Sequence, residues 1–151
     1  MTAVRNSSNI SVEDGTAIVK GWVQEVRALG GIAFVTLRDR YGTIQITMPK
    51  KKIDPALFEE LTKVPRESVV AVTGEVKASN QTALGLEIIP SAVEIYSRAA
   101  APLPLGVVDK VDAGMDTRLD HRFMDVRKPE IKAVFELKAM MVELIEECVR
   151  E

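Results

Sequence analysis

The stretch Gly21–Gln45, GWVQEVRALGGIAFVTLRDRYGTIQ, decides the fold of this chain. It holds two apolar-rich runs that alternate with polar residues, and a Leu29-Gly30-Gly31 turn separates them. A second turn, Arg40-Tyr41-Gly42, leads into a third apolar run. Alternation with a period of two is typical of half-buried strands, and glycine at each turn supplies the positive φ that a tight reversal needs. The stretch therefore predicts three consecutive strands joined by tight turns.

Further predicted elements lie on both sides of these turns. Strands are predicted over 16–27, 30–38, 43–48, 68–78 and 84–96. A short helix is predicted after Asp54-Pro55, an N-cap followed by proline at the first helical position, and it ends before Pro65. Three strands, one helix and two strands is the order of a five-stranded OB barrel, which binds oligonucleotides on strands 2 and 3 and on loops 1–2 and 4–5. We therefore predict a mainly β fold, a five-stranded OB-fold barrel with one inter-strand helix.

The two ends of the chain differ from this region in composition and in the spacing of their apolar residues. Residues 1–15 are polar and rich in Ser and Asn, and we expect a poorly ordered N-terminal tail. The predicted OB domain covers 16–97. An irregular, Pro-containing and acidic run predicts a hinge over 98–129. Apolar residues at three- and four-residue steps predict an amphipathic helix over 130–151, and we interpret it as the start of a further domain that is truncated here.

Composition limits the classes of function. No apolar run is long enough to span a bilayer and the N-terminus has no signal pattern, so we expect a cytoplasmic protein without a membrane partner. Cys148 and His121 are the only cysteine and histidine, which excludes an internal disulfide and a Cys-based zinc site and makes a catalytic triad a poor hypothesis. A formal net charge of −2 argues against generic coating of a polyanion and leaves selective recognition of single-stranded bases open.

Four side chains are candidates for binding a base, and the pattern alone leaves a structural alternative for each. Phe34 is either a core residue or a platform on which a base stacks. Gln45 is either an exposed strand residue or a residue that hydrogen-bonds the Watson–Crick edge of uridine. The second role suits an amide, because an amide both donates and accepts hydrogen bonds. Arg27 and Glu87 are either solvated surface charges or contacts to a phosphate and to a base.

Three further positions carry structural interpretations. Trp22 is predicted to lie in the barrel core. The Arg38-Asp39-Arg40 run is expected to fix the turn before Gly42 rather than to touch RNA. Cys148 lies on the apolar stripe of the terminal helix and is interpreted as a small buried or interface residue, not as a nucleophile.

Three motifs in this order resemble a known family. They are GWV at 21–23, F-x-x-L-R-D-R at 34–40 and Gly-x-x-Gln at 42–45, and together they are similar to the anticodon-binding domain of the aspartyl, asparaginyl and lysyl branch of class II aminoacyl-tRNA synthetases. The run at 116–130, DTRLDHRFMDVRKPE, resembles the hinge of archaeal-type aspartyl-tRNA synthetases. The likeness covers about residues 15–151 but only the front part of such an enzyme.

The resemblance implies roles for individual residues. In the family, the ring that stacks on the middle anticodon uridine corresponds to Phe34, and the residue that hydrogen-bonds this base corresponds to Gln45. The family positions that correspond to Arg27 and Glu87 face the anticodon. Positions where tRNA specificity varies in the family fall on Gln24 and on the strand 4–5 loop, represented by Asn80, Gln81 and Thr82. No catalytic residue and no metal ligand is expected in this chain.

The function implied by the resemblance is recognition of the tRNA-Asp anticodon loop by the N-terminal part of an aspartate–tRNA ligase, with tRNA-Asn as a further substrate in dual-specificity relatives. ATP and Mg²⁺ belong to the catalytic domain of such an enzyme. Motifs 2 and 3 of that domain are absent here, so we expect no cofactor and no activity from this chain alone, and a homodimer for the full-length enzyme. The alternatives are a stand-alone OB-fold RNA-binding module, an asparaginyl-tRNA synthetase fragment, and a protein-interaction domain.

Overall fold

The computed structural model describes residues 2–108 and 113–150, which form two compact units, one up to Ala101 and one from Pro102. Within these ranges, the length and hydropathy of each helix fall short of what a membrane-spanning helix requires. The first unit contains β1 (Ala3–Arg5), β2 (Thr16–Leu29), β3 (Ile32–Arg38), β4 (Thr43–Pro49), α1 (Pro55–Lys63), β5 (Val69–Ala78) and β6 (Leu86–Ser97). The second contains α2 (Met115–Asp120), α3 (Arg122–Asp125) and α4 (Pro129–Arg150).

The strand pairings of the first unit close into a ring. β2 pairs antiparallel with β3, β3 with β4, and β5 with β6. β4 meets β6 through a parallel pairing of Ile46 with Ile88, and the first half of β2 pairs antiparallel with β5. This ring, with α1 between its third and fourth strands, confirms the predicted mainly β OB-fold order of three strands, a helix and two strands.

Alternating side chains fill the interior of the ring. On β3, Ala33, Val35 and Leu37 are buried, while Ile32 and Phe34 are only half-buried on the opposite face. The alternation predicted for β3 is thus confirmed, and Phe34 lies on the outer face of the ring rather than in its core.

The helix between the ring strands starts where the sequence predicted. A carboxylate oxygen of Asp54 accepts hydrogen bonds from the backbone N–H groups of Ala56 and Leu57, at 2.8 and 3.2 Å. These bonds satisfy two of the N–H groups that the first turn of any helix leaves without an intrahelical acceptor. Leu61, on the inward face of α1, is fully buried in the core cluster.

The prediction that Trp22 lies in the core is wrong. Gly21 and Val23 are buried, so Trp22 has the opposite parity on β2 and is only half-buried. The guanidinium carbon of Arg38 lies 5.9 Å from the centre of its ring, at cation–π distance. Hydrophobicity alone indicated burial, but on a strand the register decides which face receives a side chain.

The expectation of a poorly ordered tail at 1–15 is also wrong. Strand β1 pairs in parallel with the beginning of β2, and a short 3₁₀ turn follows at Val12–Asp14. Arg5 and Asp14 form an ion pair at 2.7 Å, and Ser7 is buried against Asp39. Polar residues order this segment through specific partners in the rest of the fold, which a composition argument does not detect.

Asp39 connects the N-terminal segment to the β3–β4 turn. Its Oδ1 accepts hydrogen bonds from the Ser7 hydroxyl at 2.6 Å and from the Tyr41 and Gly42 N–H groups at 2.7 and 2.8 Å, and its Oδ2 accepts one from the Ser7 N–H at 2.6 Å. Partial burial raises the pKa of Asp39, but these hydrogen bonds outweigh it and leave the pKa below its ordinary value. Asp39 therefore fixes the turn before Gly42, as predicted.

β5 and β6 approach each other very closely at Gly74. The register shifts between Thr73 and Gly74, and a Cβ atom at Gly74 would lie 2.4 Å from the backbone oxygen of Ile89. Neither strand can move without losing its ladder hydrogen bonds, so the position requires glycine.

The second unit contains more helix than the sequence predicted. The sequence predicts an irregular hinge over 98–129, but α2 begins within it at Met115. Asp125 is fully buried and accepts hydrogen bonds from Arg118 Nε at 2.9 Å and Arg122 Nη1 at 2.6 Å, and the neighbouring Met124 packs in a small apolar cluster. Helices of four and six residues are unstable alone, so these tertiary contacts hold them.

The long terminal helix is confirmed as α4, Pro129–Arg150. None of its described residues is buried, and large apolar side chains such as Val134 and Leu144 are about half exposed, at 50% and 54%. Cys148 is exposed too, so burial of Cys148 within this chain is contradicted.

Candidate nucleic-acid interface

An open concavity of about 260 Å³ lies on the outer face of β2, β3 and β4. The register places Arg27 opposite Phe34 and Thr36 opposite Gln45, so side chains from three adjacent strands point to one face. The concavity is lined by these four residues together with Glu25 and Leu29 from β2 and with Gln81 from the β5–β6 loop. Three of the four predicted base-binding residues, all but Glu87, thus line one surface.

Phe34 supplies the aromatic ring of this surface, and Leu29 is its other large apolar lining residue. It lies in the middle of β3, and its two neighbours Ala33 and Val35 point into the core. The pleat of the strand therefore turns the Phe34 side chain outward, where it remains half-buried between β2 and β4. A ring held in this way offers a preorganised face on which an unpaired base can stack.

Arg27 supplies a positive charge at the edge of the concavity. Its side chain is 68% exposed, and its Nη2 lies 2.7 Å from a carboxylate oxygen of Glu25. This hydrogen bond and the accompanying Coulomb attraction raise the pKa of Arg27 above its ordinary value, so the guanidinium remains charged. An exposed ion pair of this kind contributes little to stability and leaves the guanidinium available to a phosphate or a base.

Gln45 and Glu87 are connected through Thr47. The Gln45 Nε2 donates a hydrogen bond to Thr47 Oγ1 at 3.2 Å, and Thr47 Oγ1 donates one to Glu87 Oε2 at 2.7 Å. Glu87 lies on β6, which runs beside β4; it is not among the described residues that line the concavity and is connected to Gln45 by this chain of hydrogen bonds. Thr47 is not among the residues predicted from the sequence to form the site, although the period of two places it on the same face as Gln45.

Of the four predicted specificity residues, one is among the described residues that line the concavity. Gln81 lines the concavity, whereas Asn80, Thr82 and Gln24 are not among the described residues that line it. The Thr82 hydroxyl donates to the backbone oxygen of Leu86 at 2.7 Å, so it holds the loop. Gln24 occupies the register shift between Val23 and Glu25 and is half-buried there.

The charges around the concavity are mixed rather than strongly basic. Glu25 lies between Arg27 and Arg66, at 2.7 and 4.0 Å. The exposed Lys50–Lys52 run follows β4 and is not among the described lining residues, and the Lys50 ammonium lies 5.9 Å from the centre of the Phe58 ring. Across 2–108 and 113–150, no group of three or more His, Cys, Asp or Glu residues is placed to hold a metal ion.

Comparison with known proteins agrees with this geometry. The model of a family described as an OB-fold nucleic acid binding domain, of the tRNA anti-codon type, matches residues 17–96. The match covers more than half of the chain, and the chain belongs to this family of OB-fold nucleic-acid-binding domains. More particularly, it is homologous to the N-terminal part of aspartate–tRNA ligases.

Two curated relatives and one solved structure illustrate the homology. The chain is 49% identical over 131 residues to an aspartate–tRNA(Asp/Asn) ligase of Archaeoglobus fulgidus, which covers 87% of this chain and 30% of the relative. It is 47% identical over 133 residues to an aspartate–tRNA(Asp) ligase of Thermococcus kodakarensis, with 88% and 30% covered. The asparaginyl-tRNA synthetase of Pyrococcus horikoshii aligns with a TM-score of 0.76 at 25% identity, over 89% of this chain and 30% of that chain. The chain spans about 30% of the length of these curated relatives.

Proposed function

We propose that this chain binds the anticodon loop of tRNA-Asp and that the outer concavity of β2–β4 is the binding surface. The observation that carries the proposal is that Arg27, Phe34 and Gln45, which come from three strands, line one open surface in a member of a nucleic-acid-binding family. A stacking ring, an amide and a guanidinium on one sheet face match the chemistry of an unpaired base and its phosphate.

Each of these residues has a distinct role in the proposed complex. Phe34 stacks on the middle anticodon base, a uridine, and Gln45 hydrogen-bonds its Watson–Crick edge. Arg27 contacts a phosphate or an adjacent base, and Glu87 accepts hydrogen bonds from the guanosine at the first anticodon position. Gln81 approaches from the β5–β6 loop and is the best placed of the predicted specificity residues.

We also propose that the chain serves a longer enzyme. Residues 16–97 are the anticodon-binding domain, 98–129 the hinge, and 130–151 belong to the start of the catalytic domain of an aspartate–tRNA ligase. In that enzyme ATP and Mg²⁺ bind in the catalytic domain, the product is aminoacylated tRNA-Asp, and the assembly is a cytoplasmic homodimer. Charging of tRNA-Asn as well is the second candidate function, and it is favoured by the similarity to an Asp/Asn ligase. The alternative is that the chain is a fragment of an asparaginyl-tRNA synthetase, in line with its similarity to the solved structure of such an enzyme.

The test measures binding of this chain to tRNA-Asp anticodon stem-loops that carry uridine or cytidine at the middle position. Phe34→Ala should weaken binding by about 1–3 kcal/mol, or roughly 5-fold to 150-fold, because a stacking contact is lost. Gln45→Ala should cost about 1 kcal/mol or more and reduce the preference for uridine, because a desolvated base edge loses its partner.

Tyr41→Ala is the matched aromatic control. Tyr41 is 61% exposed in the β3–β4 turn and is not among the described residues that line the concavity, so its loss should leave binding unchanged. The proposal is wrong if Phe34→Ala and Gln45→Ala variants remain folded and bind both stem-loops as the wild type does.

A further inference from the structure

We propose that Thr47 is a positioning residue through which Glu87 orients the Gln45 amide, and that this orientation makes the concavity select uridine over cytidine. The inference rests on the proposed function and adds a residue and a mechanism to it. Its basis is the chain of two hydrogen bonds from Gln45 Nε2 to Thr47 Oγ1 and from Thr47 Oγ1 to Glu87 Oε2.

The direction of this chain follows from the count of hydrogen atoms. A hydroxyl has one hydrogen to donate, and a carboxylate oxygen only accepts. The 2.7 Å separation between Thr47 Oγ1 and Glu87 Oε2 is that of a charge-assisted hydrogen bond, so the hydroxyl hydrogen of Thr47 is committed to Glu87. Thr47 can then only accept from Gln45, and the NH₂ end of the amide must face it.

Burial makes this arrangement hard to reverse. Thr47 is 4% exposed, so water has little access to the hydroxyl if a protein partner is lost. If the Gln45 carbonyl faced Thr47 instead, the Thr47 hydroxyl would have to donate its hydrogen to that carbonyl. The Glu87 carboxylate oxygen would then lose its hydrogen-bond donor. Glu87 is half-buried, so water can only partly replace the lost donor, and the orientation with the NH₂ group towards Thr47 is favoured.

The orientation of the amide determines which base edge fits. With its NH₂ group bound to Thr47, Gln45 keeps Oε1 available as an acceptor and lines the concavity. Where the ring nitrogen N3 of the base faces Oε1, uridine donates its N3 hydrogen, whereas N3 of cytidine is itself an acceptor and leaves two acceptors facing each other. Glu87 on β6 thus influences the choice of base read from β4 without touching that base.

Three substitutions on one strand isolate the hydroxyl of Thr47. Thr47→Val is nearly isosteric and removes the hydroxyl, Thr47→Ser retains it, and Thr43→Val makes the same chemical change at an exposed position of β4. The measurement is the ratio of affinities for tRNA-Asp anticodon stem-loops with uridine or cytidine in the middle. Thr47→Val should lower this ratio by about fivefold to tenfold, while Thr47→Ser and Thr43→Val should leave it within about twofold.

Glu87→Gln tests the origin of the orientation. A carboxamide can donate to the Thr47 hydroxyl, so the hydrogen-bond chain can run in either direction and the ratio should fall as it does for Thr47→Val. Any contact of Glu87 with the first anticodon base affects both stem-loops equally and cancels in the ratio. The double variant Thr47→Val/Glu87→Gln should have a ratio no lower than that of Thr47→Val alone, because both changes disrupt the same chain.

The outcomes separate this inference from the proposed function. If the wild-type chain does not bind either stem-loop better than a loop of unrelated sequence, the proposed function itself is wrong. If the wild type prefers uridine and a folded Thr47→Val variant keeps the full preference, the proposed function stands and the positioning role is overturned. A folded Thr47→Ser variant that loses the preference would also overturn it, because the hydroxyl would then not be the determinant. Thermal unfolding of each variant verifies the fold.

Discussion

Replacement of Asp39 by alanine should detach the N-terminal segment from the β3–β4 turn. The carboxylate accepts four hydrogen bonds, two from Ser7 and one each from Tyr41 and Gly42. The Tyr41 N–H is exposed and water can replace its acceptor, so three donors in partly buried surroundings carry the effect. A hydrogen bond to a charged group contributes about 1.5–3 kcal/mol when buried. Allowing for partial exposure, we expect a loss of about 3 kcal/mol from the free energy of unfolding.

The assay combines urea unfolding with amide hydrogen exchange. Asp39→Ala should lower the free energy of unfolding and should remove exchange protection from those β1 amides that donate hydrogen bonds to β2. Ser7→Ala removes only the hydroxyl bond and should cost about 1 kcal/mol, since the Ser7 N–H keeps its acceptor. In the Asp39→Ala background, Ser7→Ala should add no further cost, because the hydroxyl has already lost its partner.

The same carboxylate predicts a dependence of stability on pH. Because the folded-state pKa of Asp39 lies below its ordinary value, its contribution is fully present above the unfolded pKa of about 3.9 and is lost as pH falls through the folded pKa. Asp39→Ala should therefore reduce the difference in stability between neutral and acidic pH. If Asp39→Ala changes the free energy of unfolding by less than about 0.5 kcal/mol and the β1 amides stay protected, the assigned role of this carboxylate is refuted.

Two further predictions concern other parts of the chain. Gly74→Ala should destabilise the first unit by about 3 kcal/mol, measured by urea unfolding, because the added Cβ would meet the backbone oxygen of Ile89. Gly31→Ala is the control and should cost much less, because a Cβ at Gly31 would meet no atom within 4 Å and the φ of Gly31 is not positive. Asp125 has a pKa below its ordinary value, chiefly through its hydrogen bond to Arg118, so the helicity of α2 and α3 should be lost as pH falls through that folded pKa. An Asp125→Asn variant should show a correspondingly lower helicity at neutral pH by circular dichroism. Equal helicity of the wild type and Asp125→Asn at pH 7 would contradict the second.

Local sequence patterns were sufficient to predict a structural element where its formation depends on residues close to one another in the sequence. The alternation of Ile32–Arg38 predicted β3 and placed Phe34 on the face opposite Ala33 and Val35. Asp54 and the following proline predicted the start of α1, because N-capping depends on neighbours within a few residues. The order of strands and helix was readable for the same reason, and it led to the OB fold.

Other features depended on partners that are remote in sequence. The order of the N-terminal segment depends on Asp39, 32 residues beyond Ser7, and the outward position of Trp22 depends on the register of β2 with its neighbours. Short helices such as α3 form because Asp125 finds arginine partners, although the run carries only weak helical signals. Composition and hydrophobicity average over such pairs and therefore missed them.

The candidate site shows the same division. The sequence by itself determined which residue types are available on the outer face of the strands, because side chains alternate along a strand and Phe34, Gln45 and Thr47 follow that alternation. Only the tertiary structure decided that Arg27 and Gln81 share the concavity with Phe34, and that Glu87, 40 residues after Thr47, accepts its hydroxyl hydrogen. The physical reason is that strand periodicity is a local property of the backbone, whereas the register and pairing of β4 beside β6 result from packing of the whole ring.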